Sequence, residues 1–192
     1  MPTYRVGRET RQLVLDAAAS LFTARGYDAV ALSDIASAAG CSKGTVLYHF
    51  KTKVDILGEL MSPVVDDYNA IRSRIADLEP SEAQSVVVAE YVDLLVRRRR
   101  LAGILRLDLP RLMEEEAMAP LVRAGAFLPA ALTAGRVDPA AQITAMLAIF
   151  GALGAVLQDF SDVPDEDLRE HVVLGLSTLL RPYAEEHPAI TS

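Results

Sequence analysis

The sequence predicts an all-α protein in which a small N-terminal helical domain precedes a larger helical one. Apolar residues recur at helical spacing along most of the chain, and 51% of the 192 residues are hydrophobic, enough for a substantial core. Residues 1–53 hold seven basic and four acidic residues, a net charge of +3, whereas residues 54–192 hold twelve and twenty-two, a net charge of −10. A basic head on an acidic body indicates that only the head meets nucleic-acid phosphate.

The cysteine content and the N-terminal segment predict a cytoplasmic protein. A single cysteine excludes an internal disulfide framework and suits a reducing compartment. The N-terminal segment lacks the apolar core of a signal peptide. We also find no uninterrupted apolar run long enough to span a bilayer.

The first 25 residues are predicted to form an arm followed by a helix. Residues 1–8 would be a mobile arm, with Arg5 and Arg8 either reaching a minor groove or carrying incidental charge. Residues 9–25 carry an apolar stripe at helical spacing, and Gly26 follows at a position where helices often stop.

Residues 32–53 are predicted to form two short helices joined by a tight turn. Ser42 is a candidate N-cap for the second of these helices, which would bury Val46. The small Ala36 lets the two helices cross closely, and Gly40 turns the chain between them. This is the layout of a helix-turn-helix, whose second helix enters the DNA major groove.

Small and polar residues along the second helix carry the chemistry for binding DNA. Lys43 and Thr45 can hydrogen-bond base edges or phosphates, and Thr45 also offers a methyl group to thymine. Gly44 removes a side chain where a DNA backbone would approach closely, and Tyr48 and His49 follow within two turns. The alternative is an ordinary pair of amphipathic helices with solvated lysines, but the joint spacing of these residues favours DNA.

The first third of the chain resembles the TetR family of transcription regulators. The residues that carry the resemblance are Ala17, Phe22, Gly26, Tyr27, Asp34, Ile35, Ala36, Ala39, Gly40, Ser42, Lys43, Gly44, Thr45, His49, Phe50 and Lys53. The resemblance implies an all-helical homodimer with a three-helix DNA-binding domain in residues 1–53 and a ligand-binding and dimerisation domain in residues 54–192. The positions it implies for DNA contact are Ser42, Lys43, Thr45, His49 and Lys53.

Two positions depart from the common pattern of that family. Many members have Thr at the place of Ala31, where it caps the second helix and touches phosphate, so we expect Ser33 to cap and to contact DNA instead. Many members also have Tyr at the place of Leu47, whereas here Tyr48 comes one residue later. A shift of one residue rotates a helical side chain by about 100°.

Two long helices are predicted to follow the helix-turn-helix. Residues 54–78 would form the first, which Pro63 kinks or divides. Residues 81–100 would form the second, with Ser81 as its N-cap. Four arginines end this helix, and we interpret them as solvated charge that suits a helix C-terminus, with an anion site or a second DNA contact as the alternative.

The middle of the chain predicts shorter helices and a connector. Residues 101–123 would form one or two helices broken at Pro110, and residues 124–138, rich in Ala, Gly and Pro, would connect them to the closing helices. The acidic run at 114–116 reads as a solvated face, since no histidines accompany it at ligand spacing. We expect neither a metal nor a cofactor.

Residues 139–160 and 165–183 predict two apolar closing helices. They either complete a monomer core or, as the family resemblance implies, form half of a four-helix bundle between two subunits. Glycines inside the first of them indicate close approach to another helix. The predicted dimer contacts are Leu147, Gly151, Gly154, Val172, Leu176 and Leu179.

We interpret the protein as a repressor of a palindromic operator in double-stranded DNA. A small, mostly apolar effector would release it from the DNA, a response that we infer from the family resemblance. The candidate effector contacts are Val65, Tyr68, Tyr91, Leu95, Arg106, Met113, Phe127, Met146 and Phe150. An enzyme is the less favoured alternative, because the sequence has no Gly-rich phosphate loop, nucleophile elbow or paired histidines. A helical adaptor that does not bind DNA is the other alternative.

Overall fold

The computed structural model describes residues 3–158 and 162–185, without the side chains of residues 3–6, 107, 108 and 110. Within these residues the protein is all-helical, as predicted, and no strand is present. The α-helices are α1 Thr3–Arg25, α2 Leu32–Ala38, α3 Lys43–His49, α4 Lys53–Arg74, α5 Pro80–Arg97, α6 Arg99–Leu112, α7 Ala119–Gly125, α8 Leu128–Leu132, α9 Pro139–Leu157 and α10 Asp165–Ala184. A 3₁₀ turn, Glu116–Met118, precedes α7.

The chain divides into two compact units. The head unit comprises Met1–Pro63 and Arg100–Val122, and the body unit comprises Val64–Arg99 and Arg123–Ser192. The head unit therefore holds α1 to α3 together with the first half of α4 and nearly all of α6. The predicted domain boundary after residue 53 stays a prediction.

Buried apolar side chains from α1, α2 and α3 form the core of the three-helix part of the head unit. Val14, Phe22 and Ile35 are fully buried, and Val46 of α3 closes the same core. Tyr27 lies in the turn after α1, where its ring meets that of Phe22 with centroids 5.1 Å apart. The shared core with α1 and α2 thus holds α3 in a fixed position.

Several predicted helix ends are wrong at prolines and at the N-terminus. The chain is already helical from Thr3, so the predicted mobile arm is wrong from that residue on; the side chain of Arg5 lies outside the described residues. α4 runs through Pro63, so the prediction that Pro63 divides it is wrong, while the alternative that Pro63 kinks it stays a prediction. α6 likewise passes Pro110, and α8 interrupts the expected connector.

The start of α5 shows why Ser81 is not a cap. The helix begins at Pro80, whose missing N–H falls at a position where no helical acceptor exists and whose fixed φ suits the first turn. Glu79 is the N-cap residue, with no side-chain hydrogen bond to the helix. The predicted role of Ser81 is therefore wrong.

Within the body unit, α5 packs against α8, α9 and α10. Val87, Tyr91 and Leu94 are among its buried side chains. The buried Gln84 adds a polar link: its amide Nε2 donates to the carbonyl oxygens of Leu132, at 2.7 Å, and Leu180, at 3.2 Å. One side chain thus joins α5 to the ends of α8 and α10.

The helix α9 faces its own unit with small side chains. Ala141, Ala145, Ala148 and Ala152 form its buried side together with Val156, whereas its larger apolar side chains lie outside. Of the described helices, α9 alone is long and apolar enough to cross a membrane. Its apolar run is interrupted by Gln142 and Thr144, and core helices of soluble proteins meet the same criterion.

The four arginines at the end of α5 are paired rather than simply solvated. Arg97 and Arg98 both bind the Asp67 carboxylate of α4. Arg99 donates to the carbonyl oxygen of Gln158 within the body unit. In the head unit, Arg100 donates to the hydroxyl of Ser20 and to the main chain of α1. Each guanidinium thus has a partner, while the four side chains remain 33% to 55% exposed to solvent.

Candidate functional site

The turn between α2 and α3 is closed by main-chain hydrogen bonds. Gly40 has a φ of +66°, a left-handed conformation that a side chain would strain. The N–H of Gly40 donates to Ser37 at 3.2 Å, and the N–H of Cys41 donates to Ala36 at 3.0 Å. These bonds satisfy the last carbonyls of α2 and fix the angle at which the chain enters α3.

The start of α2 is held differently from the prediction. Ala31 is its N-cap residue, and it has no side-chain acceptor. The Asp34 carboxylate reaches back instead and accepts the N–H of Ala31 at 2.9 Å. Ser33 is exposed and does not cap, so the predicted capping role of Ser33 is wrong, while its contact with DNA stays a prediction.

Ser42 caps α3, as its sequence context predicts. Its hydroxyl accepts the N–H of Thr45 at 3.0 Å and lies 2.9 Å from the Thr45 hydroxyl. The two hydroxyls are therefore held against each other at the start of α3. Ser42 is exposed and Thr45 is half-buried.

The sides of α3 differ sharply in exposure. Val46 is completely buried. On the opposite side, Lys43 and Gly44 are exposed, as are Leu47, at 42%, and Tyr48, at 84%. The structure therefore brings together three of the predicted DNA contacts and adds Leu47, and we call Lys43, Gly44, Leu47 and Tyr48 the outer face of α3. No residue of α3 is acidic.

His49 and Lys53 lie apart from the outer face. His49 is half-buried, and its ring meets that of Tyr48 edge-on at 5.1 Å. The ammonium of Lys53 donates to the main-chain oxygen of Tyr27 at 2.7 Å and lies 4.2 Å from the centre of the Tyr27 ring. Lys53 therefore holds the turn after α1, a role that the sequence did not indicate.

Charged side chains surround that same turn within the head unit. Arg111 pairs with the carboxylates of Asp28, at 3.2 Å, and Glu115, at 2.6 Å. Burial, together with the nearby Glu115 and Asp28 carboxylates, raises the pKa of Tyr27 to about 12. The phenol is thus neutral at any physiological pH.

Three of the nine candidate effector contacts come together in the body unit. The rings of Tyr68 and Phe127 meet edge-on at 6.4 Å. Burial raises the pKa of Tyr68 to about 12 and that of Tyr91 well above its usual value, to which the neighbouring Tyr68 contributes. The Tyr91 hydroxyl donates to the carbonyl oxygen of Ile149 at 3.1 Å, whereas the described residues offer the Tyr68 hydroxyl no hydrogen-bond partner. We call Tyr68, Tyr91 and Phe127 the aromatic cluster.

The other six candidates lie in different surroundings. Leu95 is buried and Val65 half-buried in the body unit. Arg106, which is exposed, and Met113, which is half-buried, belong to the head unit. Met146 and Phe150 lie on the outside of α9.

Met146 and Phe150 line an open groove of about 930 Å³ in the body unit. Leu147 and Gly151, which we predict at a dimer interface, line the same groove. Arg136 is the charged residue of its lining, and its guanidinium is held by Asp138 and lies over the Tyr183 ring. The two predicted sites therefore share one surface of α9.

The predicted dimer contacts differ in how much surface they offer. Leu147 is 60% exposed, and Gly151 and Gly154 are exposed as well. Leu179 of α10 is also exposed and Val172 half-buried, whereas Leu176, at 6%, packs inside its own unit.

Ile143, at 62%, and Leu174, at 64%, are also strongly exposed apolar residues, and neither is among the predicted dimer contacts. Projecting α9 as a helix places Ile143 one turn before Leu147, which is the signal that could have found it.

The described residues contain no group of three or more His, Cys, Asp or Glu side chains that could hold a metal ion. The acidic run at 114–116 supplies one carboxylate, Glu115, to Arg111. The chemistry available in the described residues is thus that of charge, hydrogen bonding and apolar contact.

Comparison with known proteins places the head in a family. The model of bacterial regulatory proteins, tetR family, matches residues 14–60. The HTH-type transcriptional regulator AcrR of Shigella flexneri is 41% identical over 58 residues, which cover 30% of this chain and 27% of that protein. The HTH-type transcriptional repressor KstR2 of Rhodococcus jostii is 41% identical over 88 residues, which cover 44% of this chain and 42% of that protein. The chain thus matches less than half the length of these curated relatives.

Solved structures share the fold over most of the chain. The ketosteroid transcriptional regulator KstR2 of Mycobacterium tuberculosis matches with a TM-score of 0.73, covering 92% of this chain and 95% of that chain. Its sequence identity is 20%, so the match concerns the fold alone. The fold is therefore shared over most of the chain at low sequence identity.

Proposed function

We propose that the chain, whose residues 14–60 match the model of bacterial regulatory proteins, tetR family, is a DNA-binding transcriptional regulator of that family. It acts in the cytoplasm as a homodimeric repressor on a palindromic operator. A small, mostly apolar effector releases it from DNA. The proposed DNA contacts are Ser33, Ser42, Lys43, Gly44, Thr45, Tyr48, His49 and Lys53.

The observation that carries the proposal is the outer face of α3. The helix is held from behind by the buried Val46 and at its start by the Ser42 cap, so its orientation in the head is defined. Its outer face offers a lysine, a bare glycine and an exposed tyrosine, with no acidic side chain on the helix. A major groove about 12 Å wide admits such a helix, and base edges there accept hydrogen bonds from lysine and tyrosine.

The uneven charge supports the same orientation on DNA. Residues 1–53 carry +3 and residues 54–192 carry −10, so phosphate attracts the head and repels the body. Binding that neutralises phosphates releases counterions and weakens as salt rises. One small head makes few contacts, and a second head on the same dyad supplies the rest of the affinity.

The outside of α9 supports the dimer. A helix whose larger apolar side chains face away from its own unit leaves much apolar area in water unless another surface covers it. A side chain added at Gly151 or Gly154 would meet no atom within 4 Å, so the glycines have no packing reason inside the chain. A second copy of α9 and α10 provides both the cover and the reason, and two recognition helices related by the same two-fold axis then match a palindrome.

The aromatic cluster supports an apolar effector. Tyr68, Tyr91 and Phe127 are neutral and lie among buried side chains of the body unit, and the Tyr68 hydroxyl is available as a polar contact. Such a setting suits a ligand with much apolar surface and few polar groups. The effector releases DNA only if it binds the non-binding conformer more tightly than the DNA-binding one.

The proposal is tested by selecting duplexes from a random pool with the full-length protein and measuring binding by fluorescence anisotropy. We expect tight, salt-dependent binding to the selected duplex and weak binding to a scrambled one. Lys43→Ala, on the outer face, should lower the slope of log affinity against log salt by about two per dimer, because each lysine accounts for about one. Arg123→Ala, which removes an exposed charge from the body unit, should leave the slope unchanged.

Two results would contradict the proposal. A folded dimer that selects no sequence and binds no duplex at low salt would contradict DNA binding and favour the helical adaptor. Equal effects of Lys43→Ala and Arg123→Ala would contradict the assignment of the outer face of α3 to DNA.

A further inference from the structure

The outer face of α3 contains one aliphatic side chain, Leu47. It follows the fully buried Val46 directly, yet 42% of it is exposed. Its exposure is therefore set by the helix position itself, since Val46 and the Ser42 cap fix how α3 is rotated. Leu47 therefore faces any partner that contacts the outer face of α3.

The neighbours of Leu47 leave it open to a partner. Gly44 lies one turn earlier on the same face, and a side chain added there would meet only the Ser42 hydroxyl, at 3.6 Å. Lys43 lies four residues before Leu47, and Tyr48, 84% exposed, follows it. Leu47 thus lies beside Gly44, where the helix surface has no side chain, and between Lys43 and the Tyr48 ring.

The chemistry of Leu47 restricts what it can recognise on DNA. Leucine has no hydrogen-bonding group in its side chain, so it cannot read the donors and acceptors of base edges. The major groove presents one apolar group, the 5-methyl of thymine. Lys43 on the same face and the net charge of +3 in residues 1–53 draw the helix to a polyanion rather than to an apolar protein surface.

We propose that Leu47 is a specificity-determining residue that packs against the 5-methyl group of one thymine in each operator half-site. The proposal rests on the proposed function and adds a base preference at a defined helix position. Moving one methyl group out of water is worth about fourfold in affinity, so replacing the thymine in both half-sites should weaken binding by roughly fifteenfold.

The test replaces thymines of the selected operator, one symmetry-related pair at a time, by deoxyuridine, which lacks only the methyl group. Affinities are measured by fluorescence anisotropy for the full-length wild-type protein, Leu47→Ala and Leu13→Ala. Leu13 is a matched control because it is an exposed leucine of the head on α1 rather than α3. Thermal unfolding of each variant confirms that the exposed substitutions leave the fold intact.

We expect one thymine pair at which deoxyuridine weakens the wild type and Leu13→Ala by roughly fifteenfold and leaves Leu47→Ala unaffected. Specific operator binding without any such pair would overturn the inference while leaving the proposed function standing. The same holds if Leu47→Ala keeps the sensitivity; affinities of Tyr48→Ala for the same duplexes would then show whether the methyl group contacts Tyr48 instead. Failure of the wild type to select any operator would overturn the proposed function and the inference together.

Discussion

Gln84 is the buried polar side chain that links three helices of the body unit, and replacing it by Ala tests that arrangement directly. Its Nε2 donates to Leu132 at 2.7 Å and to Leu180 at 3.2 Å, and its side chain is 4% exposed. The variant removes both hydrogen bonds in a place that water does not readily reach. Each buried hydrogen bond that is lost costs on the order of 1 kcal/mol or more.

We therefore expect Gln84→Ala to lower the free energy of unfolding by about 2–3 kcal/mol. A loss of 2 kcal/mol reduces the folding equilibrium constant about thirtyfold. The measurement is urea unfolding followed by circular dichroism, at one fixed protein concentration because the proposed dimer would add to stability.

Gln142→Ala is the matched control for this prediction. Gln142 also donates its amide to a main-chain oxygen, that of Val137 at 2.8 Å, but it is exposed and water can replace the bond. Its loss should change stability by no more than about 0.5 kcal/mol. Equal, small losses for Gln84→Ala and Gln142→Ala would refute the reasoning that the Gln84 bonds are buried and join the helices.

Three further predictions concern the α9 surface and two helix caps. Leu147→Asp puts a charge into the apolar surface of α9 and should convert the proposed dimer to a monomer in analytical ultracentrifugation. The control Val163→Asp, also at an exposed apolar residue of the body unit, should not. A dimeric Leu147→Asp would contradict the interface. Ser42→Ala should destabilise the protein in urea unfolding by about 1 kcal/mol, because the Thr45 N–H loses its acceptor, whereas Ser33→Ala should have little effect; equal effects would contradict the cap. The hydrogen bond from the Ala141 N–H and, to a smaller extent, Arg136 lower the pKa of Asp138. The stability that this carboxylate contributes is therefore present above its unfolded pKa, about 3.9, and is lost as pH falls through the lower folded pKa. Asp138→Asn, which keeps an acceptor without a charge, should lose less stability than the wild type between pH 5 and pH 2 in urea unfolding, and an identical pH profile would contradict that assignment.

The helix-turn-helix was predictable because its signals are local. Gly40 with a left-handed φ, the Ser42 cap and the buried Val46 act within one or two helical turns, and all three are confirmed. Hydrogen bonds from a cap and the steric freedom of glycine depend on neighbouring residues in the chain. Residue types and spacing were therefore sufficient to predict them.

The partners of charged side chains could not be read in the same way. Lys53 bonds the main chain of Tyr27, 26 residues earlier, and Arg100 reaches Ser20 of α1. The acceptor that a cationic side chain binds depends on how distant helices pack, because a long side chain can reach many acceptors. The sequence supplied the charges without their partners.

The orientation of α9 was likewise decided by tertiary structure. Its sequence is apolar on nearly every side, so helical periodicity cannot tell which side is packed. In the structure the alanines face the neighbouring helices of the body unit, where small side chains allow close approach, and Ile143, Leu147 and Phe150 face outward. The sequence by itself thus determined the turn and the cap of the helix-turn-helix, because those depend on local bonds. Only the packing of α9 decided which of its apolar side chains remain exposed, because that depends on the volumes of side chains that meet across helices.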